Sequence, residues 1–143
     1  MRWHMYIDGA SSGNPGRSGA GLVVFDDENR ELLRDSIFLG HMTNNMAEYE
    51  ALLFALKKAQ ESKIPEISVY TDSLLLANQV LGRYKINNET LRTYVAIVKN
   101  IVTNFHYFTV QYIPRERNKI ADKLAKEAIK EAQGGKDKIA DRL

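Results

Sequence analysis

The sequence predicts one α/β domain built on a mixed β-sheet. A length of 143 residues suits a single domain with one substantial core. The predicted order of elements is β-β-β-α-β-α-α-β-α, which places an antiparallel meander before strands that are separated by helices. We therefore expect a five-stranded sheet flanked by helices over residues 1–132. The remaining residues 133–143 have no clear apolar face, and we expect them to form a flexible tail.

The first half of the chain predicts three strands. The N-terminal strand alternates, with Trp3, Met5 and Ile7 on one face and polar or aromatic residues on the other. The glycines that follow are typical of a turn-rich loop, and the polar segment DDENR separates the next two strands. In order, the predicted elements are a strand at 2–8, a loop at 9–19 and strands at 20–25 and 31–39.

The second half predicts four helices and two strands. The first helix carries an apolar stripe that includes Leu52 and Leu56. Gly82 divides the two middle helices, and Pro114 ends the last strand. In order, the predicted elements are a helix at 44–60, a strand at 66–71, helices near 73–82 and 89–103, a strand at 106–113 and a helix at 118–132.

Composition excludes several classes of protein. No apolar run is long enough to span a bilayer, and the N-terminal residues lack a signal-peptide core. The absence of cysteine rules out disulfides, thiolate metal sites and cysteine nucleophiles, and it suits a reducing compartment. The net charge of +2 is too mild to indicate a nucleic-acid-binding protein by itself. We expect a cytoplasmic monomer with no membrane partner.

Four acidic residues stand where an acid is not the obvious choice: Asp8, Glu48, Asp72 and Asp122. Asp8 and Asp72 end apolar strands, and if those strands pair in parallel both acids lie on one edge of the sheet. A carboxylate in such a place is costly unless something positive lies beside it. Four of them together would form a strong cage for a hard divalent cation.

Each acid also has an ordinary structural interpretation. Asp8 could bond its own backbone in a turn, and Glu48 could interact with the dipole of its helix. Asp72 precedes a helix and is well placed to cap it. Asp122 lies four residues before Lys126, the spacing of a surface ion pair. No single acid decides between the two interpretations.

The segments around these acids resemble the motifs of the ribonuclease H type 1 family over about residues 3–130. The resemblance rests on four motifs in the same order: Asp8-Gly9 with Gly13-Asn14-Pro15-Gly16; Thr43-Asn44-Asn45 with Glu48; Thr71-Asp72-Ser73; and Asn118 with Asp122, Leu124 and Ala125. It implies the ribonuclease H fold. It also implies endonucleolytic hydrolysis of the RNA strand of RNA–DNA hybrids, giving 5′-phosphate and 3′-hydroxyl ends.

The resemblance further implies two Mg²⁺ ions, or Mn²⁺ in their place, held by the four acids, with Asp8 shared between them. The residues implied in substrate binding are polar or small, and suit contacts with phosphates and 2′-hydroxyls: Gly9, Asn14, Thr43, Asn44, Asn45 and Ser73. Asparagine at a helix start can instead be a cap, and Asn44 is the best candidate for that role.

The sequence departs from the family pattern in the loop before the last helix. Many members carry a histidine there, but residues 113–118 contain none, so Arg115 or Glu116 is a candidate substitute and Asn118 a candidate auxiliary residue. The segment 82–89 is also short where some members have a basic insertion.

Three alternatives remain open at this stage. One is a related nuclease that cuts double-stranded RNA, and another is a catalytically weak nucleic-acid-binding module on the same fold. A small-molecule α/β enzyme has less support, because no G-x-G-x-x-G or P-loop segment is present.

Overall fold

A five-stranded mixed sheet forms the centre of the computed structural model, which describes the backbone of residues 1–142 and the side chains of residues 1–132. The strands are β1 (Arg2–Gly13), β2 (Gly16–Phe25), β3 (Glu31–Met42), β4 (Glu66–Thr71) and β5 (Tyr107–Tyr112). Their order is β3-β2-β1-β4-β5, with β1–β2 and β2–β3 antiparallel and β1–β4 and β4–β5 parallel. The predicted fold class is confirmed, and β1 is the central strand.

Four helices flank the sheet: α1 (Asn44–Glu61), α2 (Leu74–Val80), α3 (Glu89–Val102) and α4 (Lys119–Arg142), with a 3-10 turn at Arg115–Arg117. Thr43, not Asn44, caps α1, because its side chain accepts a hydrogen bond from the backbone amide of Met46. The interpretation of Asn44 as the cap is therefore wrong. None of the described helices combines the length and the apolarity that a bilayer-spanning helix needs.

The main hydrophobic core lies between the sheet and the helices α1, α2 and α3. Met5 and Ile7 of β1 point into it, as the alternation of the first strand predicts, and both are fully buried. Leu52 and Leu56 of α1 pack in the same cluster, as does Val95 of α3. This packing fixes α1 against the central strand and so fixes the direction in which its first turn projects.

The predicted loop at 9–19 is wrong, because β1 continues to Gly13 and β2 begins at Gly16. Gly9 and Gly19 there allow the backbone of a helix to approach closely, whereas Gly13, with a φ of +107°, lies at the turn between the two strands. A Cβ at Gly9 would lie 2.2 Å from the carbonyl oxygen of Ala47 in α1. A Cβ at Gly21 would lie 2.1 Å from the carbonyl oxygen of Ala121 in α4. The two helices therefore sit directly on opposite faces of the β1–β2 hairpin.

The last helix is longer than predicted. It extends to Arg142 rather than ending at 132, so the segment expected to be a tail continues the backbone of α4. The prediction that residues 133–143 are flexible stays a prediction, because their side chains, and Leu143 as a whole, lie outside the described residues.

Candidate active site

The register of the two central parallel strands brings two of the predicted acids together. Ile7 of β1 is paired with Thr71 of β4, so Asp8 and Asp72 follow at the same edge of the sheet. Asp8 points toward the α4 side, because it is paired with Gly21, the residue that α4 covers. The sequence-based expectation that both acids share one edge is confirmed.

A third acid reaches this edge from α1. One carboxylate oxygen from each of Asp8, Glu48 and Asp72 lies within 4.8 Å of the other two. Asp8 is 5% exposed and Glu48 is 8% exposed, so the cluster is largely withdrawn from solvent. Asp122 of α4 lines the same open cleft, and its Oδ2 lies 3.0 Å from Nζ of Lys126. The surface-pair interpretation of Asp122 thus describes a real contact that lies inside the cleft.

One carboxylate oxygen of Glu48 accepts a hydrogen bond and the other has no hydrogen-bond partner. The backbone amide of Gly9 donates to Oε1 over 2.6 Å, which is possible because Gly9 lets α1 approach β1 so closely. The other oxygen, Oε2, is buried and has no hydrogen-bond partner. Leaving a charged oxygen buried without a partner is expensive, so this atom marks a place where a cation fits.

Asp72 is not a helix cap. The cap of α2 is Ser73, whose hydroxyl accepts a hydrogen bond from the backbone amide of Leu76. The carboxylate of Asp72 instead accepts a hydrogen bond from the side-chain amide of Asn118. The capping interpretation of Asp72 is therefore wrong, and its carboxylate is held toward the other acids.

The electrostatics of the cluster favour positive charge. Burial raises the pKa of Asp8 far above its usual range, and the neighbouring carboxylates of Glu48, Asp72 and Asp122 raise it further. Burial also raises the pKa of Glu48, although the hydrogen bond from Gly9 acts in the opposite direction. For Asp122, burial acts to raise the pKa, but the ammonium of Lys126, the hydrogen bond with Asp8 and the charge of Arg115 together lower it. The carboxylates of Asp8, Glu48 and Asp72 together form a donor set that fits a hard divalent cation.

The predicted substrate-binding residues lie in or beside a cleft of about 350 Å³. Gly9, Asn44 and Ser73 line it directly. Asn14 lies beside it and accepts a hydrogen bond from the backbone amide of Asn44, which ties the β1–β2 turn to the start of α1. Asn45 is exposed on the first turn of α1, directly after Asn44.

The structure separates the candidates for the role of the missing histidine. Arg115 lines the cleft together with the four acids, whereas Glu116 lines a different cavity beside Tyr6 and Phe25. Sequence reasoning missed Ser11 as a lining residue, because its segment was predicted to be a loop. It also missed the place of Lys126 in the cleft, although the four-residue spacing from Asp122 was the available signal.

The fold and the acid cluster together define a class: an α/β protein with a carboxylate-rich site at the edge of a ribonuclease H-like sheet. Residues 6–128 match the family described as reverse transcriptase-like. A ribonuclease HI of Halobacterium salinarum is 35% identical over 131 residues, covering 92% of this chain and 66% of that protein. A ribonuclease H of Bartonella quintana is 34% identical, covering 89% of this chain and 88% of its own length.

Solved structures agree with the sequence relatives. The crystal structure of RNase H1 from Halobacterium salinarum superposes with a TM-score of 0.89 at 34% identity, covering 92% of this chain and 99% of that one. LC11-RNase H1, isolated from compost by a metagenomic approach and solved in complex with an RNA/DNA hybrid, gives 0.87 at 37% identity, with coverages of 92% and 99%. The chain belongs to the ribonuclease H family, type 1.

Proposed function

We propose that the protein is an endonuclease that hydrolyses the RNA strand of RNA–DNA hybrids with the help of two divalent cations, Mg²⁺ or alternatively Mn²⁺. The observation that carries the proposal is the cluster of Asp8, Glu48 and Asp72, whose oxygens lie within 4.8 Å of one another. The buried, unpartnered Oε2 of Glu48 supports it independently. A related enzyme, LC11-RNase H1, is known in complex with an RNA/DNA hybrid.

Bound divalent ions would supply an activated water and would stabilise the charge that develops on the leaving 3′-oxygen. Asp8 lines the cleft and interacts with the carboxylates of both Glu48 and Asp122, and it would be shared by both ions. Glu48 and Asp72 would complete the site on the leaving-group side. Asp72 would also contribute near the attacking water, together with Asp122 after it separates from Lys126. Hydrolysis forms a bond from water oxygen to phosphorus and breaks the bond from phosphorus to the 3′-oxygen. The 3′-oxygen takes a proton, which leaves 3′-hydroxyl and 5′-phosphate ends.

Selectivity for RNA would come from neutral donors at the rim of the cleft. Asn44 and Ser73 flank the acids and offer hydrogen bonds to 2′-hydroxyls in a shallow minor groove. Gly9 has no side chain and leaves its backbone open to a phosphate. Thr43, Asn45 and Asn14 would support these contacts from the start of α1 and from the neighbouring hairpin. None of these groups reads a particular base, so we expect little sequence preference.

Arg115 would take over part of the role of the absent histidine. Its side chain lines the cleft, and it stands close enough to Asp122 to help lower the pKa of that carboxylate. A guanidinium stays protonated, so it can stabilise a phosphate or the departing product but cannot accept a proton. We therefore assign it to charge stabilisation. Asn118 would act indirectly, by holding Asp72.

The proposal is tested by offering labelled RNA–DNA hybrid, double-stranded RNA and double-stranded DNA side by side, with Mg²⁺, with Mn²⁺ and with a chelator. We expect metal-dependent cutting of the RNA strand of the hybrid, with 5′-phosphate ends. Asp8→Asn should abolish cutting while leaving hybrid binding largely intact. Equal or faster cutting of double-stranded RNA would favour the related nuclease. Binding of hybrid without any cutting would favour the catalytically weak module.

A cytoplasmic, monomeric enzyme is part of the proposal. The absence of cysteine supports a reducing compartment. Size-exclusion chromatography with light scattering tests the monomer, which has an expected mass of 16.3 kDa.

A further inference from the structure

A second groove adjoins the active-site cleft along α4. It has a volume of about 670 Å³ and runs between Ser12 of the β1–β2 hairpin and the exposed side of α4. Asp122 and Lys126 line both this groove and the active-site cleft, so the two cavities are direct neighbours on the surface. A strand that lies across the acids would therefore reach the groove next.

Three lysines line this groove, and we call them the α4 lysine strip: Lys123, Lys126 and Lys130. The side chain of Lys123 is 77% exposed and that of Lys126 is 64% exposed, so their ammonium groups are accessible. The acids in the same groove are Asp122 and Glu127. Glu127 lies 3.9 Å from Lys123, at the outer limit of an ion pair.

The groove becomes more positive if Asp122 binds a cation instead of Lys126. Nζ of Lys126 lies 3.0 Å from Oδ2 of Asp122. If Asp122 turns to a divalent cation, Lys126 loses its partner at the mouth of the active-site cleft. The ammonium group of Lys126 is then free to bind another anion. The anion nearest to the phosphodiester at the acids would be the next phosphate of the same strand.

The spacing of the strip suits a nucleic-acid backbone. At 1.5 Å of rise per residue, the seven residue steps from Lys123 to Lys130 cover roughly 10 Å of helix axis. Three base-pair steps of a duplex also cover roughly 10 Å, at about 3.4 Å per step. The spacings of three and four residues place the three side chains on one side of the helix.

We propose that the α4 lysine strip is a phosphate-binding subsite, which holds the RNA strand beyond the scissile phosphate. The proposal rests on the proposed function, because the strip is assigned to the substrate that the adjoining cleft would cut. The three lysines can bind phosphates through their charge, but they are not arranged to contact the edges of particular bases. It therefore contributes affinity and placement of the strand rather than sequence specificity.

The test uses Lys123→Gln/Lys130→Gln, which leaves the contact between Lys126 and Asp122 in place. The matched control is Lys57→Gln/Lys99→Gln, which removes the same charge from exposed positions on α1 and α3. Binding of a fluorescent hybrid is measured as a function of salt in the cleavage-deficient Asp8→Asn background. The slope of log affinity against log salt should fall by up to about 1.8 in the strip variant, at about 0.9 for each lost phosphate contact. The control should keep the slope of the parent.

A second measurement locates the subsite on the substrate. Hybrids trimmed on one or the other side of a fixed cleavage position are compared with Asp8 intact. Trimming on one side should raise KM for the parent enzyme but not for the strip variant, because the contacts are already absent. If the strip variant matches the control in both slope and trimming response, the subsite is refuted. If the parent cuts no hybrid at all, the proposed function itself fails, and the two failures are thus distinguishable.

Discussion

The side-chain amide of Asn118 donates to the carboxylate of Asp72 over 3.1 Å and to the backbone carbonyl of Ile7 over 2.8 Å. One buried residue therefore links the start of α4 to both central parallel strands, at the point where their acids emerge. Asn118 is 2% exposed, and its own Oδ1 has no partner. This bridge ties together three of the four segments of chain that carry the acids, and the hydrogen bond from Gly9 to Glu48 ties in the fourth.

Asn118→Ala should lower both stability and turnover. The substitution leaves the carbonyl of Ile7 without its donor and lets Asp72 rotate, at a cost of about 1–3 kcal/mol in the free energy of unfolding. Urea unfolding measures the stability, and steady-state cleavage of hybrid measures kcat. Asn100→Ala on the exposed side of α3 is the control and should leave both unchanged. Full kcat in Asn118→Ala would show that Asp72 needs no positioning.

Asp8→Asn should stabilise the metal-free protein at neutral pH although it abolishes cleavage. Asp8 is buried next to Glu48 and Asp72, and the raised pKa of Asp8 means that its charge opposes the fold there. The folded protein therefore keeps Asp8 protonated at neutral pH at a cost in free energy, and an amide of the same shape removes that cost. Thermal unfolding in the presence of a chelator should show a higher Tm for Asp8→Asn than for the parent protein. A lower Tm would mean that the carboxylate of Asp8 is a net stabilising group without metal.

The stability of the metal-free protein should fall as pH rises from about 4 into the alkaline range. The pKa values of Asp8 and Glu48 are raised in the folded state, so the folded protein retains protons that the unfolded chain has already released. Each rise in pH above the pKa that these carboxyl groups have in the unfolded chain therefore lowers the free energy of unfolding. Urea titrations at several pH values measure the trend, and the double variant Asp8→Asn/Glu48→Gln should flatten it. Saturating Mg²⁺ should also flatten it, because a bound cation replaces the retained protons.

Gly21→Ala should displace Asp122 from the active site, although Gly21 itself does not line the cleft. The new methyl group would lie 2.1 Å from the carbonyl oxygen of Ala121, so α4 must move away from β2 and carry Asp122 with it. We expect a loss of about 1–3 kcal/mol in the free energy of unfolding, as for other overpacked sites, together with a fall in kcat. Gly82→Ala is a useful comparison, because its Cβ would meet nothing within 4 Å although its φ of +76° is strained. It should lose stability without a comparable loss of kcat.

Arg115→Ala should reduce turnover more than Glu116→Ala. Arg115 lines the cleft and Glu116 does not, and loss of one charge-stabilising group costs about 10²-fold in comparable sites. Arg115→Lys, which keeps the charge but loses the planar fork, should fall between the two. Steady-state cleavage of hybrid at saturating Mg²⁺ separates them. An equal effect of both alanine substitutions would remove Arg115 from the role proposed for it.

Most of the fold follows from local patterns, because periodicity is a local property. The alternation of Trp3, Met5 and Ile7 and the stripe through Leu52 each identify a buried face without any knowledge of the partner. Residues 9–19 form a hairpin where a loop is predicted, because a glycine that makes room for a distant helix, such as Gly9, looks the same in sequence as a glycine at a turn, such as Gly13. Gly9 and Gly21 are explained only by Ala47 and Ala121, which lie far away in the chain.

In the active site too, the local motifs are predictable from the sequence and the contacts between distant segments are not. The four acids were recognisable by their motifs, but the choice between a cap and a ligand for Asp72 depended on Ser73 taking the cap and on Asn118 reaching it from α4. The bond from Gly9 to Glu48, and the oxygen that it leaves without a partner, depend on the approach of α1 to β1. Such contacts between distant segments are beyond local sequence reasoning.

The central claim is that Asp8, Glu48 and Asp72 hold a divalent cation. Calorimetric titration of Mn²⁺ into the parent protein and into Asp8→Asn, in two buffers of different protonation enthalpy, tests it most directly. The account predicts saturable binding to the parent with release of protons, because the raised pKa values of Asp8 and Glu48 must be overcome, and loss of that binding in Asp8→Asn. Equal binding by both proteins, with no proton release, would contradict it.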